Sequence, residues 1–551
     1  MSRTLEGRAD LHAWLAAQPA DFFSADADFD ALVALHGLDA RRPALHAAGQ
    51  AVAGPLDAAV RENNLHANLP VLDDWDAVGA YTGRVRHHPR WREAGRLIYG
   101  TGVMAAYGAS PVPHRFILSL FYLTSQAGEA GHNCPLACNA GAIRTLQAVG
   151  TPAQQAAYLP RLLDPSFDHT FTASQFLTEV QGGSDVGANA LRATPAGPGA
   201  EAAGGPWRIH GEKWFCSNAD ADLFLVTARP EGGAEGTRGL GLFLLPRLRA
   251  DGRPNGFRLR RLKDKLGTRS MASAEIDFDG AEATALGPVE HGFRTVMERV
   301  INTSRVYNIL AVAAHARRAS VVAATYAAHR RAFGQPIGEF AVVRETLAWM
   351  RADAAALLAI GLALAGQQEA MDAGTLGPDE GAFFRVALNL AKSRTAALAH
   401  EVINRGIEVL GGNGAIESFS VLPRLLRDNV VCENWEGTHN VLRAQVLRDC
   451  ARMGLHEGFF RVLAARLGPD PRLSADAAAF SALLQAPEAL RDIAFRPLAD
   501  RLATWAMLWA LAPAPALADH AALHARHLGP LPLDDAYLAR VARLAAGVVR
   551  T

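Results

Sequence analysis

The spacing of apolar residues changes twice along this chain, and that change limits its fold more than any other feature. Through residues 1–167, Ala- and Leu-rich runs repeat at helical spacing. Residues 97–105 and 116–126 read as helix pieces, with Pro19, Pro70, Pro111 and Pro113 breaking the pattern. Over residues 168–290 the period becomes two. Residues 207–210, 222–228, 239–245 and 273–278 read as strands divided by Gly, Pro and Asp clusters. The Gly-, Ala- and Pro-rich stretch 195–206 reads as a long surface loop. Over residues 291–453 the helical period returns. Residues 293–329 carry an apolar stripe without Pro or Gly, as one long helix or two, and further helices are expected over 342–371 and 379–410. Long helices of this kind form bundles. Residues 454–551 stay helical but are interrupted at Pro469, Pro471, Pro487, Pro497, Pro513, Pro515, Pro530 and Pro532. Segregated elements predict an α+β chain, not alternating βαβ units. The expected order is a helical N-terminal domain, a middle β-barrel or sandwich, a helix bundle and an added helical module. A length of 551 residues also calls for several domains.

Charge narrows the partners. Fifty-five basic residues balance 55 acidic ones, so there is no global pull toward nucleic acid or an anionic membrane. A local exception spans Arg247, Arg249, Arg253, Arg258, Arg260, Arg261, Lys263, Lys265 and Arg269, opposed only by Asp251 and Asp264. Such a run is ordinarily a solvated strand face, with a polyanion surface as the sharper alternative. Five cysteines in so long a chain make no disulfide framework. Cys134 and Cys138 lack the second pair or His cluster that a zinc site needs, so buried thiols and no metal are expected. The N-terminal residues carry acids and no apolar core, and no run reaches the roughly 18 apolar residues of a membrane span. A reducing, cytoplasmic setting without a membrane partner is the expectation.

Five segments could carry chemistry. In 176–185, Gly182 and Gly183 let a ligand approach the backbone, while Thr178 and Ser184 supply hydroxyls. In 211–218, Phe215 could flank a flat ring and Ser217 could hydrogen-bond to it. In 329–337, Arg330 and Arg331 could grip phosphate by bidentate contacts. The run Gly411, Gly412, Asn413, Gly414 could offer backbone amides to a pyrophosphate. Last, Glu436 stands beside Trp435, a setting that raises a carboxyl pKa by desolvation and suits a base for a weakly acidic C–H. Each segment alone fits an ordinary role equally well: a turn, a half-buried strand, a basic helix end, a helix C-cap or an acid at a helix start.

Their order and spacing resemble the acyl-CoA dehydrogenase family over roughly residues 90–450. The resemblance rests on T-E-V-Q-G-G-S-D, G-E-K-W-F-C-S-N, D-K-L-G-T-R-S, R-R-A-F-G-Q-P-I, L-G-G-N-G and W-E-G-T. The N-terminal extension, with R-V-R-H-H-P-R-W at 84–91, and the C-terminal module are similar to the alkylation-response branch. The resemblance implies a helical domain, a β domain (168–290), a four-helix bundle (291–453) and an extra module (454–551), assembled as a homotetramer. FAD would lie between the β domain and the bundle. Thr178 and Ser217 would contact the isoalloxazine, Phe215 would pack on it, and Ser184 would sit near flavin or substrate. Arg330, Phe333 and Gln335 would hold FAD in the adjacent subunit. Gly411, Gly412, Asn413 and Gly414 would meet its phosphates, with Thr438 and Asn440 completing the cradle. Arg305 matches an Arg near the substrate pocket.

In this family the base stands either at the E-G-T position or just before the Arg of the first bundle helix. Here Ser304 precedes Arg305 and cannot serve, which leaves Glu436. The implied reaction is α-proton abstraction from an acyl-CoA thioester by Glu436 with β-hydride transfer to flavin, as in fatty acid metabolism. The Glu436 backbone amide would bind the thioester carbonyl. An electron-transfer flavoprotein is a candidate acceptor. Val180 stands where the family usually has Pro, Ser217 replaces a commoner Thr, and Asn302 replaces an acid near the coenzyme A pocket. A DNA-associated flavoprotein and a flavin monooxygenase or oxidase are the alternatives. The first requires a basic footprint, which the near-neutral residues 454–551 do not supply.

Overall fold

A computed structural model describes residues 3–549 as two compact units. One comprises Ala58–Ser110 and Glu129–Ser304. The other comprises the chain up to Asp57, Pro111–Gly128 and the chain from Arg305 onward.

The first unit is organised by its sheet. Two strands, β1 (Val71–Trp75) and β2 (Tyr81–Arg86), form an antiparallel hairpin. The main sheet contains β3 (Ala173–Phe176), β4 (Arg192–Pro195), β5 (Pro206–Ser217), β6 (Leu223–Pro230), β7 (Gly241–Pro246), β8 (Phe257–Leu262) and β9 (Ser273–Ala285). The order β3-β6-β4-β5-β9-β7, with β6 also paired to β7, closes the sheet on itself. The closure is a barrel, as the alternation predicts. Its interior is filled by Phe176, Trp207, Ile209, Phe224, Phe243, Ile276 and smaller apolar residues. Residues 195–206 are not purely a surface loop, because Ala200 is buried and its carbonyl accepts from Trp207 Nε1 at 2.6 Å. The predicted helix over 97–105 is misplaced. The helix runs Pro89–Tyr99, where Pro89 sits at a first-turn position that needs no N–H.

Five of the nine basic residues in the run on β8 and its flanks are paired with carboxylates. Arg249, Arg253, Arg260, Arg261 and Lys263 meet Asp251, Glu212, Glu275, Asp277 and Glu282. Arg258 lies over the Trp75 and Tyr81 rings. The pairing sides with the solvated-face reading.

The second unit is helical. Its long members are Asn302–His329, which begins just inside the other unit, Ala341–Asp372 and Pro378–Leu410. Leu422–Asn434 and His439–Met453 follow. The stripe over 293–329 resolves into Gly292–Thr295, a π-helical stretch Val296–Ile301 and the long helix. Gly361 explains one close helix contact, since a Cβ there would lie 2.5 Å from Leu310 Cδ2. Ala341–Asp372 has the length and hydropathy to cross a membrane, contrary to the run-length reading. Its most apolar window is 89% buried inside the protein, however, as expected of a core helix. The C-terminal helices Glu488–Leu511, Ala518–His524 and Asp535–Ala546 pack against Ala341–Asp372. Cys138, Cys216, Cys432 and Cys450 are buried and Cys134 is half-buried, none of them in a disulfide.

Two buried histidines make stability depend on pH. Burial pushes His132 down to about 4 and His315 to about 3. The unfolded chain binds these protons more readily, so stability falls as pH drops below about 6.5. Each histidine contributes a slope of about 1.4 kcal/mol per pH unit between its unfolded and folded values. Urea midpoints recorded from pH 7 to pH 4 should fall throughout that window, and a flat profile contradicts the prediction.

Candidate functional site

Each unit brings together part of the expected site. In the sheet unit, the loop after β3 carries Thr178 and the end of β5 carries Phe215 and Ser217. Two contacts join them. Trp214 N–H donates to the Thr178 carbonyl at 2.9 Å. Beneath it, Lys213 Nζ donates to Glu179 Oε1 at 2.7 Å and to the Leu177 carbonyl at 3.0 Å. Glu179 also accepts from the Ala190 and Leu191 amides at 2.6 and 3.2 Å. Burial pushes the Glu179 carboxyl up, but Lys213 and these donors override it and hold it below the usual range. The Glu and Lys of the two motifs therefore act as a buried clasp, which explains why the segments belong together.

Above the clasp the surface is open. Phe215 is 39% exposed, with Lys263 Nζ 5.6 Å from its ring centroid. Ser217 Oγ lies 3.3 Å from Ser273 Oγ, which accepts from Lys265 Nζ at 2.9 Å. A Cβ on Gly183 would stand 2.9 Å from Thr178 Oγ1, so glycine keeps that hydroxyl accessible. A partly exposed ring on a strand that also carries a hydroxyl suits a flat heteroaromatic ligand. Ser184 is exposed on the same loop. Sequence reasoning gave no role to Ser273 or Lys265, although Lys265 lies in a quoted motif.

In the helical unit the centre is the turn after Leu422–Asn434. Glu436 has φ +57° and Gly437 φ +103°. A left-handed Glu costs about 1–2 kcal/mol and persists only where its surroundings hold it. Gly437 could not carry a side chain cheaply, since a Cβ would sit 3.1 Å from Leu442 Cδ2. Two buried cations hold the turn. Arg305 Nε donates to the Glu436 carbonyl at 3.1 Å, and its other nitrogens donate to Asn389 Oδ1 at 2.6 Å and Gln445 Oε1 at 3.2 Å. Burial lowers the Arg305 guanidinium to about 10, against the pull of Glu436 and Asp449. Lys392 Nζ, fully buried, donates to the Gly437 carbonyl at 2.9 Å and the Glu433 carbonyl at 3.1 Å. Trp435 Nε1 is buried without a hydrogen-bond partner. Thr438 and Asn440 are exposed at the start of the next helix.

The remaining predicted residues gather around one helix end. Arg330 ends Asn302–His329, and the short hairpin Arg331–Ala332 with Gln335–Pro336 follows. Phe333 at its tip is 96% exposed with φ +52°, and Gln335 is exposed beside it. The turn Gly411–Ala415 reaches the same helix, because Asn413 Nδ2 donates to Tyr326 Oη at 3.2 Å, one turn before Arg330.

Comparisons with known proteins identify the family. Residues 174–281 match the acyl-CoA dehydrogenase middle domain and residues 290–450 its C-terminal domain. Residues 15–169 match the adaptive response protein AidB N-terminal domain. The putative acyl-CoA dehydrogenase AidB of Escherichia coli (strain K12) is 32% identical over 70% of this chain and 69% of its own length. The chain belongs to the acyl-CoA dehydrogenase family, in its AidB-like branch. Acyl-CoA dehydrogenase family member 11 of Caenorhabditis elegans is 33% identical over 69% of the chain, although the match spans only 62% of that relative. The crystal structure of Caenorhabditis elegans ACDH-11 in complex with C11-CoA covers 96% of the chain and 95% of its own, with TM-score 0.80 and 25% identity.

Proposed function

We propose that this protein is an FAD-dependent oxidoreductase acting on an acyl-CoA thioester, with Glu436 as the base. The observation that carries the proposal is the left-handed Glu436 turn, pinned through its carbonyls by Arg305 and Lys392. Strain kept at a carboxylate by buried cations is the mark of a group held for chemistry.

The residues fit a flavin. Phe215 offers a partly exposed ring, and Thr178 and Ser217 offer hydroxyls on the two joined segments. Gly411, Gly412, Asn413 and Gly414 suit a pyrophosphate, and Gly412 faces open space. When bound, FAD accepts the hydride that leaves the β-carbon. Glu436 would receive the α-proton, and its backbone amide would stabilise enolate charge on the thioester carbonyl. Arg305 fixes the Glu436 carbonyl and so the direction of the Glu436–Gly437 peptide. Coenzyme A as carrier is supported by the ACDH-11 complex with C11-CoA.

We extend the proposal to assembly. An almost fully exposed Phe333 beside Gln335 is a poor surface for a lone chain but a suitable one for the cofactor of a second copy, in a homo-oligomer such as a tetramer. The paired basic residues around β8 give a DNA-associated reading no specific support.

Anaerobic titration of the purified yellow protein with saturated acyl-CoAs of increasing chain length tests the proposal. At least one length should bleach the flavin. A colourless protein, or an unchanged spectrum with every thioester, would falsify it.

A further inference from the structure

Lys392 is a lone lysine in the apolar middle of Pro378–Leu410, and its side chain has no solvent exposure. A lysine is buried in this way only when its charge has work or partners. Its partners are the carbonyls of Glu433 and Gly437, one on each side of Glu436. Glu433 lies at the end of Leu422–Asn434, where a cation also meets the negative pole of the helix. Burial brings Lys392 down to about 8, while Glu436, Cys432 and Glu433 oppose that fall and Arg305 adds to it.

We propose that Lys392 is a positioning residue for proton abstraction: its ammonium pins both ends of the Glu436 turn and keeps the carboxylate ionised. The inference rests on Glu436 being the base. A cation close to a carboxylate favours the charged form. Arg305 attracts the carboxylate as well, but its nitrogens donate to the Glu436 carbonyl, Asn389 and Gln445, which leaves the Glu433 and Gly437 carbonyls to Lys392. The other charged groups around the turn are spoken for. Asp449 pairs with Arg385 at 2.9 Å and Glu433 with His400 at 2.8 Å. Arg443 pairs with Asp500 at 2.9 Å. Burial keeps the neighbouring His439 below its ordinary value, so it stays neutral near pH 7.

The test compares Lys392→Met, Lys392→Gln and Glu436→Gln as full-length, flavin-loaded protein. The readouts are flavin content and the pH profile of anaerobic flavin reduction by an acyl-CoA that reduces the wild type. Lys392→Gln keeps a donor for the carbonyls but no charge, which guards against misfolding of the Met variant. Both Lys392 variants should retain flavin, and the acid limb of the profile should move up by about one unit or more. Reduction on the acid side then slows about tenfold or more. A wild-type limb in Lys392→Gln, with Glu436→Gln inactive, overturns the role of Lys392 alone. Wild-type reduction by Glu436→Gln overturns the base itself, whatever the Lys392 variants do.

Discussion

Glu436→Gln should leave the protein yellow and its fold intact while slowing substrate-driven flavin reduction by about 10²–10⁴-fold. Gln fills the same volume and leaves the backbone amide and carbonyl in place. The Arg305 and Lys392 contacts run to the carbonyls of Glu436 and Gly437, so the turn keeps both anchors. The proton acceptor is lost, together with the negative charge that faces Arg305 and Lys392. Stopped-flow absorbance after anaerobic mixing separates the two effects, because flavin content is read before substrate arrives. Reduction at the wild-type rate would move the base elsewhere, although Ser304, beside Arg305, is no carboxylate.

The second large effect concerns stability. Asp353→Ala should cost about 3–5 kcal/mol, because it strands buried positive charge. Asp353 is fully buried in Ala341–Asp372 and accepts from Arg526, from His524 Nδ1 at 2.9 Å and from His527 Nε2 at 3.1 Å. Arg405 lies 3.6 Å away. Burial pushes this carboxyl up, but Arg526 and the two histidines hold it well below the ordinary range. Three of these partners belong to the C-terminal module, so the network fastens that module to the bundle unit. The trio Asp353, His524 and His527 has the spacing of a metal set. Two guanidiniums at the carboxylate make it an ion network instead, since they already supply the positive charge. Asp353→Ala should therefore lower the urea midpoint sharply, while a chelator leaves the wild type unmoved. A chelator-induced loss of stability would restore the metal reading.

Much of this architecture is legible in the residues, and what is not has physical causes. The alternation of β5 marks the barrel, whereas β6 and β7 are continuous buried runs that read as strands from their short length and bounding turn residues. The β1–β2 hairpin escapes that logic. Val-Leu-Asp-Asp-Trp is mostly exposed, so no buried face imposes alternation on it. Helix ends are less legible than helix existence: Pro89 sets the start of Pro89–Tyr99, yet nothing apolar marks its finish. At the site, the carboxylate is readable because Trp435, Glu436, Gly437 and Thr438 are contiguous. Its electrostatic setting is not, because Arg305 and Lys392 reach it across 131 and 45 residues. A lysine within an apolar helical run is the trace that Lys392 leaves, and it acquires meaning only once the turn is in place. Likewise Glu179 and Lys213 look like motif letters in the sequence, whereas the fold shows them clasping together the two segments proposed to meet flavin.

The account turns on one carboxylate lifting one proton. The most direct measurement incubates a saturated acyl-CoA with the protein in D2O and follows deuterium entering the α-carbon by mass spectrometry. The wild type should incorporate deuterium at that carbon, and Glu436→Gln should not. Equal incorporation by the two proteins would place the proton acceptor on another residue and contradict the account.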